Sequence, residues 1–321
     1  MNTPTRDLKG RQVRVRYPLS AASAADIGWW APRERSTWQN LRQTTLFRLA
    51  RNPLGFLGLL IATLLALAAF FPSVWATHNP YRIEPVHRLL PPSAEHLFGT
   101  DELGRDVFSR VIHGTRISLA VALGVIAATA AVGTLVGMVA AYLGGAVDEA
   151  LMRFADVFIS FPGLIMAMGI VALLGANLRN AMLTLIVIWW PQYARLARGQ
   201  TLRIKQLLYI EAARATGSSG VRILRHHIFP NILQPILVKA SLDVGLAILT
   251  TASLSFLGLG ARPPSPELGS LVTQGRTFLL TAWWYATFPG LVIFLSVLGF
   301  NLLGDSLRDV LDPTLREIGG Q

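Results

Sequence analysis

The chain has 321 residues, 52 % of them hydrophobic and only 15 % charged, with a mean hydropathy of +0.46. That charged share is well below the roughly 25 % of a soluble domain, and the apolar residues cluster in runs, which indicates membrane spans and not a large soluble core. The net charge of +11 does not point to nucleic acid, because the basic residues fall between the apolar runs, and the lack of cysteine excludes disulfides and thiolate metal sites.

Residues 1–53 form a basic tail with ten Lys/Arg against three Asp/Glu. Its Ala-, Ser- and Pro-rich first half reads as disordered. In "STWQNLRQTTLFRLARNP", Trp38, Leu41, Thr45 and Leu49 fall near one helical face with Arg42 and Arg48 off it. That pattern suits a helix lying on an anionic inner leaflet, or a plain solvated linker. The polar stretch before the first apolar run gives no sign of a secretory signal.

The first span, "PLGFLGLLIATLLALAAFFPSVWA", starts at Pro53 and is uncharged and long enough for a hydrocarbon core of about 30 Å. His78 to Arg116 is a polar loop with five bases and five acids. The second span, Ile117 to about Tyr142, places Gly133 and Gly137 at GxxxG spacing, which permits close helix approach. A third span, about Val157 to Leu174, is kinked or broken near Pro162. The fourth, about Ala181 to Tyr193, ends in "WWPQY", read as an interfacial aromatic anchor. A polar segment follows, then a fifth span from about Ile232 to Leu259, a Pro/Gly-rich loop, and a sixth span from about Tyr285 to Leu303. The domains are thus a tail (1–53), a six-helix transmembrane region (54–304) and a C-terminal tail (305–321). Six spans put both termini on one side. Seven Lys/Arg lie between Arg195 and Arg225 with Glu211 the sole acid, so by the positive-inside rule this segment and the termini are expected in the cytoplasm.

Several chemistries are missing. The three lysines, Lys9, Lys205 and Lys239, include none that follows a glycine, so there is no phosphate cradle for ATP. The six histidines all lie outside the spans, and the adjacent His226 and His227 have neither H-x-x-x-H spacing nor a nearby acid, so no metal ligand and no intramembrane catalyst is expected. An ion-coupled secondary transporter, the alternative reading, needs ionisable groups deep in its spans. Only the fifth span offers them: Lys239 and Asp243 stand at i,i+4 spacing, which suits mutual pairing with Lys239 snorkelling to the surface.

The segment "YIEAARATGSSGVRILRHHIFPN" interrupts the apolar pattern. Lys205 to Ala215 is made of good helix formers, and Gly217 can end that helix in a left-handed conformation. Ser218 or Ser219 can cap a second short helix, expected to stop by Phe229 because Pro230 restricts it. Two short helices at an angle make a rigid knob. Ala212 and Ala213 let another surface approach closely, and Glu211 offers a charge to pair.

"EAARATG" with Pro230 thirteen residues after its glycine resembles the EAA loop of ABC-importer permeases. "HLFGTDELGRDVFSRVIHGTRISL", "GGAVDEALMRFADVFISFPG", "YARLARGQTLRIKQ", "SLSFLGLGARPPSPELG" and "FNLLGDSLRDVLDP" follow the order of the C-type permease of the dipeptide/oligopeptide/nickel importer family, from about Asn52 to Pro313. The resemblance implies an all-α, type I ABC importer permease fold with six transmembrane helices in the bacterial inner membrane. It further implies a coupling loop at about 205–230, with Glu211, Ala212, Ala213, Gly217 and Pro230 in the docking motif. The implied partners are a second (B-type) permease, two ATPase subunits that carry ATP and Mg, and an extracytoplasmic solute-binding protein. This chain itself would hold no cofactor and no catalytic residue, and would move short peptides or related small solutes by alternating access. It departs from the family pattern at His227, Thr250–Thr251, Leu268 and Leu271.

Overall fold

The computed structural model describes residues 52–311, together with β1 (Thr5–Arg6) and β2 (Gln12–Val13), which pair antiparallel with Thr5 opposite Val13. The rest of the basic tail, including the interfacial helix expected before Asn52, and the tail beyond Leu311 lie outside the described residues.

Every other described element is helical. α1 (Pro53–Phe70) starts where Asn52 accepts the Leu54 amide (3.1 Å) and Pro53 fills the first helical position. It buries its small residues Gly58 and Ala62 while leaving Leu57, Leu60 and Leu64 exposed. α2 (Pro72–Trp75) is one turn. α3 (Val107–Leu143) has 37 residues and is capped by Asp106, whose carboxylate accepts the Ser109 amide at 2.7 Å. α4 (Gly145–Ile159) and α5 (Gly163–Leu174) meet at a bend of 88° across Ser160–Pro162. α6 (Leu178–Lys205) and α7 (Leu208–Ala215) follow, then α8 (Gly220–Ile223) and α9 (Phe229–Phe256), and finally α10 (Leu268–Gly275) and α11 (Trp284–Leu311).

α1, α3, the run from α8 through α9, and α11 are each long and apolar enough to cross a membrane, and α4 with α5 make a fifth such unit if the bent pair counts as one. The break expected near Pro162 is therefore a sharp turn. The apolar arm after it, α5, has 12 residues, about 18 Å of helix, well short of a full span. α6 passes through Pro191 to Lys205 as one helix, but its second half carries Arg195, Arg198, Arg203 and Lys205 and is polar.

The core is built where small residues let helices touch. A Cβ on Gly137 would lie 2.1 Å from the Ala194 carbonyl oxygen, and one on Gly133 would lie 2.4 Å from that of Trp190, so α3 and α6 meet backbone to backbone. "WWPQY" is not an interfacial anchor. Trp189 and Trp190 are buried, and the Trp190 ring stands 6.0 Å from those of Phe154 and Phe158 on α4, so aromatic partners on that helix cover the indole. Polar clasps back this packing: Arg198 grips Asp148 with two bonds of 2.6 and 2.7 Å, and Arg195 pairs with Asp156.

The polar loop expected from His78 to Arg116 gives way to α3 at Val107, and its first part is folded around buried charges. Asp101 holds Arg105 at 2.6 Å and Arg110 at 3.5 Å, and all three side chains are buried. Glu267, also fully buried, caps α10 by accepting the Gly269 and Ser270 amides (3.0 and 2.9 Å) and the Ser118 hydroxyl (3.3 Å). Burial pushes its carboxyl above the ordinary carboxylate range, against the opposing pull of those donors. Leu268 and Leu271, two of the departures from the family pattern, are buried in the main core.

Candidate functional site

The polar interruption folds as a compact projection standing on the bundle. α7 ends at Ala215. The Thr216 amide bonds the Ala212 carbonyl (3.0 Å), the Ser218 amide bonds that of Ala213 (3.0 Å), and Gly217 sits at φ +81°. Such a left-handed cap satisfies the last carbonyls and turns the chain sharply. Ser219 then caps α8, its hydroxyl accepting the Arg222 amide at 3.4 Å.

The second helix does not stop at Pro230. The chain widens into a π-helical turn over Leu224–Ile228, in which the Phe229 amide reaches back to the Leu224 carbonyl, and Pro230 occupies the first turn of α9. A proline lacks only the amide that a first-turn position does not need, and the π turn supplies the register change that frees the preceding carbonyl. The projection is thus continuous with a membrane-crossing helix.

Its footing is apolar. Ile210 of α7, Ile223 of α8, Ile228 of the π turn and Ile232 of α9 are all fully buried and pack with Met138, Tyr193, Ala197 and Ile204. Burying each isoleucine contributes about 1.5–3 kcal/mol. A second fastening is polar. Lys205 donates from Nζ to the Ala141 and Tyr142 carbonyls (3.2 and 2.9 Å), the otherwise open C-terminal carbonyls of α3. The Tyr142 ring lies under Lys205 Nζ (5.8 Å) and the Arg214 guanidinium (5.7 Å), and Gly220 fits so closely that a Cβ would come within 2.9 Å of it. The sequence reading found none of these anchors. The isoleucines carried the only signal, spaced to face one way across both short helices.

What faces outward is the quoted motif. Glu211, Ala212, Gly217 and Pro230 are exposed and Ala213 is half-buried; Glu211 has no partner among the described residues. Lys239 and Asp243 are brought together at 2.9 Å, with Tyr193 donating to Asp243 (2.7 Å) and Lys239 donating to Gln192 (3.2 Å). This pair lines a groove of about 800 Å³ together with Tyr209 of the projection and Asn231 of α9. Each charge is satisfied within the helix pair, which leaves little for a transported ion to ligate.

Several helices here are long and apolar enough to cross a membrane, and the projection is continuous with one of them. Residues 133–317 match the family described as binding-protein-dependent transport system inner membrane component, and residues 37–92 match the N-terminal TM domain of oligopeptide transport permease C. The probable D,D-dipeptide transport system permease protein of Escherichia coli (strain K12) is 46 % identical over 268 residues, 84 % of this chain and 90 % of that one. The dipeptide transport system permease protein of Alkalihalophilus pseudofirmus is 42 % identical over 84 % of this chain and 88 % of its own. The glutathione transport system permease protein of Pectobacterium atrosepticum is 44 % identical over 81 % and 86 %. Among solved structures, a chain of the inward-facing MetNI methionine ABC transporter overlaps with a TM-score of 0.46 at 19 % identity, covering 61 % of this chain and 95 % of that one. The chain belongs to the inner-membrane permease family of binding-protein-dependent ABC importers. It is a multi-pass permease subunit, with ATP hydrolysis left to separate subunits.

Proposed function

We propose that the projection formed by α7, Gly217 and α8 is the docking knob for a separate ATPase subunit. In this reading the chain pairs with a B-type permease to form a pathway for short peptides that works by alternating access. Two ATPase subunits carry ATP and Mg, and an extracytoplasmic solute-binding protein delivers the solute. The observation that carries the reading is the contrast within one segment: four buried isoleucines fix it to the bundle while Glu211 and Ala212 face outward without a partner. A rigid element joined to a long helix is what transmits a rigid-body push. The seven bases from Arg195 to Arg225 favour the cytoplasmic side for this end and for both termini. The dipeptide and glutathione relatives favour a small peptide as solute.

The test reconstitutes the permease pair with its ATPases and binding protein, comparing Glu211→Lys and Ala212→Trp with the unaltered chain at equal insertion. Reversing the sole acid, or filling the close-approach surface, should weaken ATPase capture by about tenfold or more, and substrate-stimulated hydrolysis should fall in parallel. Full capture and full stimulation in both variants would show that the segment is only a loop. Uptake driven by an ion gradient without ATP would favour the secondary-transporter reading.

A further inference from the structure

At the other end of α3 from the projection, the loop after α2 gathers three histidines. His96 is 4 % exposed, and its Nδ1 lies 3.0 Å from Oδ1 of Asp106, the buried cap of α3. A proton on Nδ1 donated to that carboxylate leaves the lone pair on Nε2. His96 Nε2 is buried and has no hydrogen-bond partner among the described residues. Native structures rarely leave such an atom unmatched without a reason.

Two further ligand-bearing side chains stand around it. His78, Glu95 and His96 each offer one ligand atom, all within 4.8 Å of one another. The His78 and His96 rings lie 4.8 Å apart. His78 is held in place from behind, its backbone amide donating to Ser109 Oγ (2.9 Å) in the first turn of α3. His87 also approaches the His96 ring (5.8 Å), but its Nδ1 is engaged by Glu84 at 2.9 Å.

We propose that His78, Glu95 and His96 bind a divalent transition-metal ion of the zinc class through two imidazoles and one carboxylate, with a fourth position left to water. Imidazole nitrogens select such metals over the hard cations, which prefer an all-oxygen shell. The Asp106–His96 bond is the outer partner that a ligating histidine ordinarily has, fixing its tautomer and ring orientation. Bond lengths of about 2.0–2.2 Å would bring the three ligand atoms closer than the 4.8 Å within which they now lie, with the exposed Glu95 and the half-exposed His78 moving toward the buried His96. Bound metal would tie the segment after α2 to the Glu95–His96 turn and clamp the whole loop against the start of α3. The sequence reading assigned no metal ligand, because His78 and His96 lie far apart in the chain with no recognisable spacing.

The experiment uses the full chain in detergent, freed of any polyhistidine tag and stripped with chelator, with zinc as the probe. Zinc affinity is read by competition with a chromophoric chelator, and the thermal midpoint is measured with and without zinc. His78→Gln and Glu95→Gln alter solvent-facing side chains, so both should fold as the unaltered chain does without metal. His226→Gln, at the far end of the molecule, is the control. We expect one zinc per unaltered or control chain and a midpoint raised by zinc but not by magnesium. Affinity should drop by at least about tenfold in either ligand variant, with the midpoint rise lost. No stoichiometric zinc on the unaltered chain, equal affinity in both ligand variants, or an equal response to magnesium would each overturn the proposal.

Discussion

Gly217 offers a clean test of the docking knob, because the structure separates backbone strain from crowding. Its φ is +81°, and a Cβ built there would meet nothing within 4 Å. A substitution therefore adds no clash, and its whole cost lies in holding an L-residue in the left-handed region, about 1–2 kcal/mol. A β-branched residue suffers more, and asparagine, which tolerates that region, suffers least. The cap has a cheap escape, since loss of the Gly217 amide bond to Arg214 (2.9 Å) and the Ser218 bond to Ala213 (3.0 Å) would let α8 swing relative to α7. If the knob must keep its angle to fit an ATPase, that strain is carried into the docked state. At 1.4 kcal/mol per tenfold, ATPase affinity should fall by about five- to thirtyfold in Gly217→Ala and by more in Gly217→Val, while Gly217→Asn stays near the unaltered value. The assay is titration of the ATPase subunit onto permease pairs in nanodiscs, with the thermal midpoint confirming an intact bundle. Undiminished affinity in Gly217→Val, or asparagine as the worst of the three, would refute the reasoning.

Gly137→Val should separate α3 from α6, since its Cβ would sit 2.1 Å from the rigid Ala194 carbonyl; overpacking of this kind costs about 1–3 kcal/mol. Gly124→Ala, which meets only the flexible end of Met182 at 3.4 Å, should be tolerated, and equal thermal midpoints for the two would contradict the packing described. Glu267 titrates higher when folded than its unfolded value of about 4.3. Its contribution is therefore complete below that value and lost as pH rises through the folded one. Glu267→Gln should flatten the decline of the midpoint above about pH 4.3, and an unchanged slope would count against it. Reporter tags at Ser219 and at the C-terminus should read cytoplasmic and tags at Glu95 or Ser265 external; a cytoplasmic signal at Glu95 would overturn the orientation.

Apolar runs placed the long helices well, because a stretch that must satisfy its own backbone in lipid has few alternatives to a helix. The left-handed glycine and the serine cap were legible too, since both are decided within a few residues. What escaped depends on partners distant in the chain. Trp189 and Trp190 read as an interfacial pair until Phe154 and Phe158 of α4, some thirty residues earlier, are seen to pack against the Trp190 ring. The loop around Asp101, Arg105 and Arg110 has the balanced composition of a solvated connection, and nothing local reveals that its charges neutralise one another in burial. Pro230 read as a stop because the π turn ahead of it leaves no trace in periodicity.

α3 has a consequence for how force crosses this molecule. Its 37 residues make a strut of about 55 Å. One tip is seated by Asp106 and the buried charges beside it, and the other is gripped by Lys205 reaching into its terminal carbonyls. A stiff beam held at both tips needs no chain of switching side chains to carry a displacement. Tilting one tip by a few degrees moves the other by ångströms, in a direction set by the backbone-tight pivot at Gly133 and Gly137. If the projection is the docking knob proposed above, the pivot's place along α3, nearer the Lys205 tip, sets the leverage, and a short stroke at the knob becomes a longer one at the far tip.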